Sequence, residues 1–215
     1  MYSTAHFREE RLDVLHTLIR AHPLGILVTR TKDGLLANSI PFLIDAAASA
    51  KGTLKGHVAR ANSQWRDFDP DYEALVIFQG AQTYVTPSWY VTKQQTGKVV
   101  PTWNYVVVQA HGRMLVRDDP HWVSTQIEQL TDTQERPRAK RWAVSDAPQE
   151  FVGQQVKAIV GIEIPIARLE GKWKVSQNRP HADRVGVAEG LNESADDNAR
   201  AMAALVASAL KSDRA

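Results

Sequence analysis

Seven short runs of β-branched and apolar residues, separated by turn residues and only occasionally by a helix, constrain the fold of this chain most. They lie at 25–29, 35–45, 53–59, 73–79, 105–116, 158–169 and 172–177. Lys32-Asp33-Gly34 is a hairpin signal between the first two, and Glu170-Gly171 reads as the turn between the last two. Pro41 marks a bulge or an edge position, and Gly112 a bend. The regular strand–helix alternation of a doubly wound parallel sheet is absent. The pattern predicts a mainly β fold with inserted helices, a Greek-key or split barrel of six or seven antiparallel strands.

The helices sit between and after these runs. Residues 7–21 place Leu12, Leu15 and Ile19 on one stripe. Asn62 or Ser63 can cap a short helix. Asp119-Pro120 opens a helix to about Thr131, with Trp122, Ile127 and Leu130 as its buried positions. Asp146-x-x-Gln149, with Pro148 between, precedes a helix at 150–157. Ser194-x-x-Asp197 reads as a capping box ahead of the stripe Met202, Leu205, Val206, Ala209 and Leu210. The expected organisation is a barrel domain at 1–191 and a C-terminal helical segment at 192–215, packed on it or on a partner subunit.

A chain of 215 residues, 43% hydrophobic, can bury a core without staples. It has no Cys, which excludes disulfides, thiolate metal ligation and a thiol nucleophile. The net charge of +2 is a smaller bias than a surface that binds nucleic acid strongly usually shows, and it leaves room for a local patch. With no apolar run of spanning length and no secretory signal, the default is a soluble cytoplasmic protein away from the membrane. Seven His show neither HxxxH nor HxH spacing, so no metal site is expected. GxSxG, Walker A and GxGxxG motifs are absent. Asp67, Asp69, Asp71 and Glu73 read as a solvated acidic turn, and Arg136, Arg138, Lys140 and Arg141 as a solvated basic loop.

Three stretches carry candidate chemistry. Between Tyr84 and Tyr105 the segments Ser88-Trp89-Tyr90 and Thr102-Trp103-Asn104 pair large rings with hydrogen-bonding groups. That mixture suits a wall for a flat, polar-edged ligand, or else a satellite cluster of aromatics over a barrel end. His57, Arg60, Asn62 and Ser63 meet where a strand passes into a helix. Guanidinium, hydroxyl and free amides there make a phosphate site or an ordinary capped helix. Finally, Gln177 and Arg179 stand at the end of the last strand, able to read a ring carbonyl or a phosphate.

Taken together, Met1-Tyr2, DGLLANSIPFLID, GHVARANSQW, TYVTPSWY, VPTWNY and WKVSQNRPHADRVGVAEGL resemble the PaiB family of FMN-binding split-barrel proteins, described as negative transcriptional regulators. The resemblance implies a fold like that of the pyridoxamine-phosphate-oxidase-like flavoproteins. It also implies a homodimer with FMN at the subunit interface. Arg60, Asn62 and Ser63 would lie near the ribityl phosphate. Asn38, Ser39 and His57 would lie along the isoalloxazine, and Ser88, Trp89, Tyr90, Thr102, Trp103 and Asn104 would form a wall. Gln109, Gln177 and Arg179 would approach from strand ends. The chain departs from the family at Ser39, Gln82 and Gln109, where relatives usually have His, and neither Ser nor Gln titrates near neutral pH. No recognition helix is readable, so the DNA partner implied by the regulator description has little support in the residues. An FMN-dependent oxidoreductase, or a split barrel holding haem or another ligand, are the alternative functions.

Overall fold

The computed structural model describes residues 1–212. The last three residues of the expected 192–215 segment lie outside the described residues. In chain order the elements are β1 (Arg8–Glu9), α1 (Leu12–Ala21), β2 (Leu24–Thr31), β3 (Gly34–Pro41), β4 (Leu43–Asp45) and β5 (Thr53–Ala59). Next come α2 (Gln64–Asp67), β6 (Ala74–Val85), α3 (Val91–Thr96), β7 (Thr102–Gly112), β8 (Leu115–Arg117) and α4 (Pro120–Glu135). The chain closes with α5 (Gln149–Lys157), β9 (Ile159–Pro165), β10 (Arg168–Lys174), α6 (His181–Asn192) and α7 (Asp197–Ser212). Seven strands have seven or more residues, and the other three, β1, β4 and β8, have two or three. The fold is thus mainly antiparallel β with inserted helices.

Two compact units divide the chain. The first combines 1–15, 79–108 and the segment from 170 onward, and holds strands in the order β1-β10-β7-β6. The second comprises 16–78 and 109–169. In it β6-β2-β3 adjoin in one order and β4-β5-β9-β8 in another.

In the second unit the Lys32-Asp33 turn leads from Thr31 into Gly34, which takes a φ of +125° that a side chain would resist. Strand alternation puts Leu54 and Val58 of β5, and Val160, Ile162 and Ile164 of β9, in the core. Phe42 and Phe78 meet edge to face, with ring centres 6.1 Å apart. Helix α4 starts as expected, with Asp119 accepting from the His121 amide at 3.0 Å. Its buried positions, however, are Val123 and Gln126 rather than Trp122, Ile127 and Leu130, which are half-buried. Trp122 lies instead over Gly161 of β9, where a Cβ would collide with the indole. Leu15 and Ile19 of α1 are buried, whereas Leu12 is exposed.

In the first unit Gly171 is not a turn. It pairs with Glu9 inside β10, and it is glycine because a Cβ there would run into Leu15. Helix α6 goes beyond the expected elements, and α7 packs on it through Met202 and Val206, both fully buried. Ser194 does not form the expected capping box, since its hydroxyl accepts from Asp196.

Candidate functional site

Two of the second-unit candidates, Asn38 and Asn62, meet at a glutamine that no sequence motif marks. Gln64, at the start of α2, is fully buried. Its Nε2 donates to the Leu27 carbonyl, the Thr29 hydroxyl and the Leu36 carbonyl at 3.1–3.3 Å. Its Oε1 accepts from Asn38 Nδ2 at 2.9 Å, and its backbone amide donates to Asn62 Oδ1 at 3.0 Å. Asn38 and Asn62 are therefore linked through one residue, by its side chain and its backbone amide respectively, and that side chain also ties β2 to β3. Ser63 precedes the helix, but its hydroxyl makes no capping bond. No composition or spacing signal marks Gln64, because the partners of its side chain are distant in sequence.

Arg60 is already occupied. Its Nη1 and Nη2 grip both carboxylate oxygens of Asp118, and Nε and Nη2 also donate to the Lys157 and Ile159 carbonyls. Asp118 hydrogen bonds raise the Arg60 pKa, and the same contact holds the Asp118 carboxyl below its usual range. His57, half-buried on β5, uses Nδ1 to bond Gln126 Oε1 of α4 at 2.7 Å. The carbonyl oxygen can only accept, so Nδ1 carries the proton in this pairing. Ser39 is exposed on β3, opposite Ile26 of β2, and Gln109 is half-buried on β7. A groove of about 600 Å³ between α4 and α5 contains none of these residues.

The aromatic segment belongs to the first unit. Strand β6 runs on to Val85, so the stretch is less of a loop than its composition suggested. Thr86 then caps a short turn by accepting from the Ser88 amide at 3.2 Å. Ser88 itself is exposed, and Lys93 donates to its hydroxyl at 3.3 Å. Trp89 is seated on α6, and a Cβ on Gly186 would strike its carbonyl and one on Gly190 its indole. The GVAEG repeat of glycine thus has a packing cause, one helical turn apart on one face.

Tyr90 is 2% exposed, with the Arg179 guanidinium 4.6 Å above its ring. Burial raises the Tyr90 pKa, and Arg179 pulls it the other way. Asn104 is buried on β7 and donates to Ser176 Oγ at 2.9 Å, while its Oδ1 has no partner. Ser176 holds a left-handed backbone, φ +68°, at the bend after β10, a strained conformation for a residue with a side chain. Gln177 folds back on its own strand, accepting from the Val175 amide at 2.8 Å and donating to the Trp173 carbonyl at 2.6 Å. Lys174 Nζ donates to the Thr102 hydroxyl and the Trp103 carbonyl. The Trp103 ring is 53% exposed and meets Tyr84, itself half-exposed, edge to face at 6.2 Å. The structure thus splits the expected wall. Trp89, Tyr90 and Asn104 are packing elements, while Ser88 and Trp103 face outward.

No described helix is long and apolar enough to cross a membrane. Known proteins resemble this chain along most of its length. A protein of Emericella nidulans is 37% identical, over 96% of both chains. The protease synthase and sporulation protein PAI 2 of Bacillus subtilis is 28% identical, over 98% of this chain and 99% of its own. A conserved hypothetical protein of Mycobacterium tuberculosis superposes with a TM-score of 0.59 at 12% identity, over 84% of this chain and 95% of its own, a likeness of fold. Residues 1–168 match the family model described as "Putative FMN-binding domain". The chain therefore belongs to that FMN-binding family of split-barrel proteins, with the Bacillus PAI 2 (PaiB) protein as a homologue.

Proposed function

We propose that this chain is a PaiB-type protein that binds FMN as a homodimer. The observation that carries the reading is a sheet face that water should not see. On β2 and β3 the cross-strand pairs Leu24–Pro41, Ile26–Ser39, Val28–Ala37 and Arg30–Leu35 share one side. Leu24 is 62% exposed, Ile26 42% and Leu35 79%. A solvated antiparallel face is normally polar, and an apolar one implies a cover. A second copy is the cover that fits an edge strand such as β3, because pairing two such faces buries both and protects the edge.

The side chains present suit a flavin. FMN has a flat ring with carbonyl and N–H edges and an anionic tail. The first unit offers exposed aromatic surface at Trp103, hydroxyls at Ser88 and Thr102, and cations near Tyr90 and Tyr105. In the second unit the proposed contact residues are Ser39, Ser63 and Gln109, whose side chains are not spent on internal bonds. Asn38, His57, Arg60 and Asn62 hold the frame there, and Trp89, Tyr90, Asn104 and Gln177 hold it in the first unit. When bound, FMN supplies redox chemistry at its ring; the chain supplies position, hydrogen bonds and charge.

A role in negative transcriptional regulation is part of this reading. The exposed segment Arg136, Arg138, Lys140 and Arg141 is its available contact with phosphates, with Arg138 paired to Glu135. Adding FMN, removing the excess and recording the absorbance spectrum alongside sedimentation tests the core of the proposal. A dimer that retains one flavin per chain is expected, and Ile26→Glu with Leu35→Glu should give a monomer. A wild-type monomer that washes free of flavin would sink the reading. A gel shift with a promoter fragment at rising salt tests the regulatory part, which fails if retention vanishes at physiological salt.

A further inference from the structure

We propose that Lys172, Lys174 and Arg179 of the first unit form the seat for the anionic group of the ligand, so that the phosphate end of FMN docks on them and not on Arg60. The claim rests on the flavin reading above.

Lys172 is 8% exposed, yet its ammonium has only neutral partners. It donates to the Tyr2 carbonyl at 3.2 Å and lies 5.2 Å from the Tyr105 ring centre and 5.6 Å from that of Tyr2. Lys174, two residues along β10, projects from the same strand face and lies 6.0 Å from the same Tyr105 ring. Its bonds also go only to neutral oxygens, those of Thr102 and Trp103. Arg179 lies over Tyr90. Among the described residues none of the three is ion-paired with a carboxylate.

Burial and the two neighbouring cations act together on the Lys174 ammonium. Burial first, then Lys172 and Arg179, hold the Lys174 pKa below the ordinary lysine range. Like charges brought together in a partly desolvated place cost free energy unless an opposite charge arrives. A phosphate dianion is a group whose charge and acceptor count match the two lysines at the Tyr105 ring together with Arg179 at the Tyr90 ring. The exposed Trp103 and Tyr84 rings adjoin the same strands, so a flat body attached to that anion has a surface to lie on. Arg60 cannot serve equally, because Asp118 and two carbonyls already occupy all three of its nitrogens.

Titrating wild-type protein with FMN and with riboflavin, which lacks only the phosphate, tests this. FMN should bind at least about tenfold tighter than riboflavin, with an affinity that falls as salt rises. Lys174→Gln and Arg179→Gln should each weaken FMN about tenfold and leave riboflavin unchanged, which also shows that the variants fold. Equal wild-type affinities, or variants that weaken both flavins alike, would overturn the assignment while leaving flavin binding intact. If neither flavin binds, the reading in the previous subsection falls. Inorganic pyrophosphate at low salt then decides the seat alone: a rise in melting temperature that Lys174→Gln abolishes supports it, and no rise removes it.

Discussion

The candidate cations of the two units are held in different ways. Beside the second-unit candidates, Arg60 is held by Asp118, Lys55 by Asp45 and Arg117 by Glu163. In the first unit Lys172, Lys174 and Arg179 lie against rings and carbonyls, and among the described residues none of them is ion-paired with a carboxylate. Positive charge that is neutralised internally fixes elements to one another. Left without a counter-charge, it is available to something from outside. The same residue types therefore carry structure in one place and recognition in the other, and motif composition alone does not say which.

Substitutions can break or sharpen that contrast. The largest effect is expected at Gly186→Ala, where the new methyl meets a backbone carbonyl that cannot rotate away. A loss of about 3 kcal/mol should appear in urea denaturation; a loss near zero would show that Trp89 is not keyed to α6. Gln64→Leu should follow at about 2 kcal/mol, since it strips partners from Asn38 and from buried strand carbonyls. That loss, with little change in flavin affinity per folded molecule, would confirm the second unit's polar network as framework. Arg60→Gln should change the FMN dissociation constant less than about threefold, against about tenfold for Lys174→Gln. Equal effects would erase the distinction between the units.

The smallest effect concerns acid. The Asp118 pKa is lowered in the folded state by Arg60, so its contribution is present above the unfolded carboxylate pKa and is lost as pH falls through the folded value. Wild type and Asp118→Asn should thus differ slightly in urea midpoint at pH 7 and converge as pH falls below the ordinary carboxylate range. The pair is half-exposed, which keeps the difference small.

Much of the architecture could be read from the residues. The number of long strands, the Lys32-Asp33 hairpin and the Asp119-Pro120 helix start follow from local chemistry, but the last strand, expected at 172–177, is β10 at Arg168–Lys174 and runs through the expected Glu170-Gly171 turn. Helix α6 carries two glycines that weaken any local helical signal, and their purpose is visible only once Trp89 lies on them. Gly171 reads as a turn residue in the sequence but lies inside β10, because its neighbour Leu15 comes from far earlier in the chain. The buried face of α4 was misjudged by size, since Trp122 is drawn to Gly161 and the interior position goes to Gln126, which answers His57. At the candidate site the residue types were legible, but their internal bonds were not. Nothing local announces that Asp118 will claim Arg60 or that Gln64 will claim Asn38.

The seat of Trp89 on α6 has a genetic corollary. At Gly190 the obstacle to a methyl is the indole itself, whereas at Gly186 it is the main chain. Revertants of a Gly190→Ala strain should therefore arise by trimming residue 89, and those of Gly186→Ala should not, making the two glycines separable by suppressor selection.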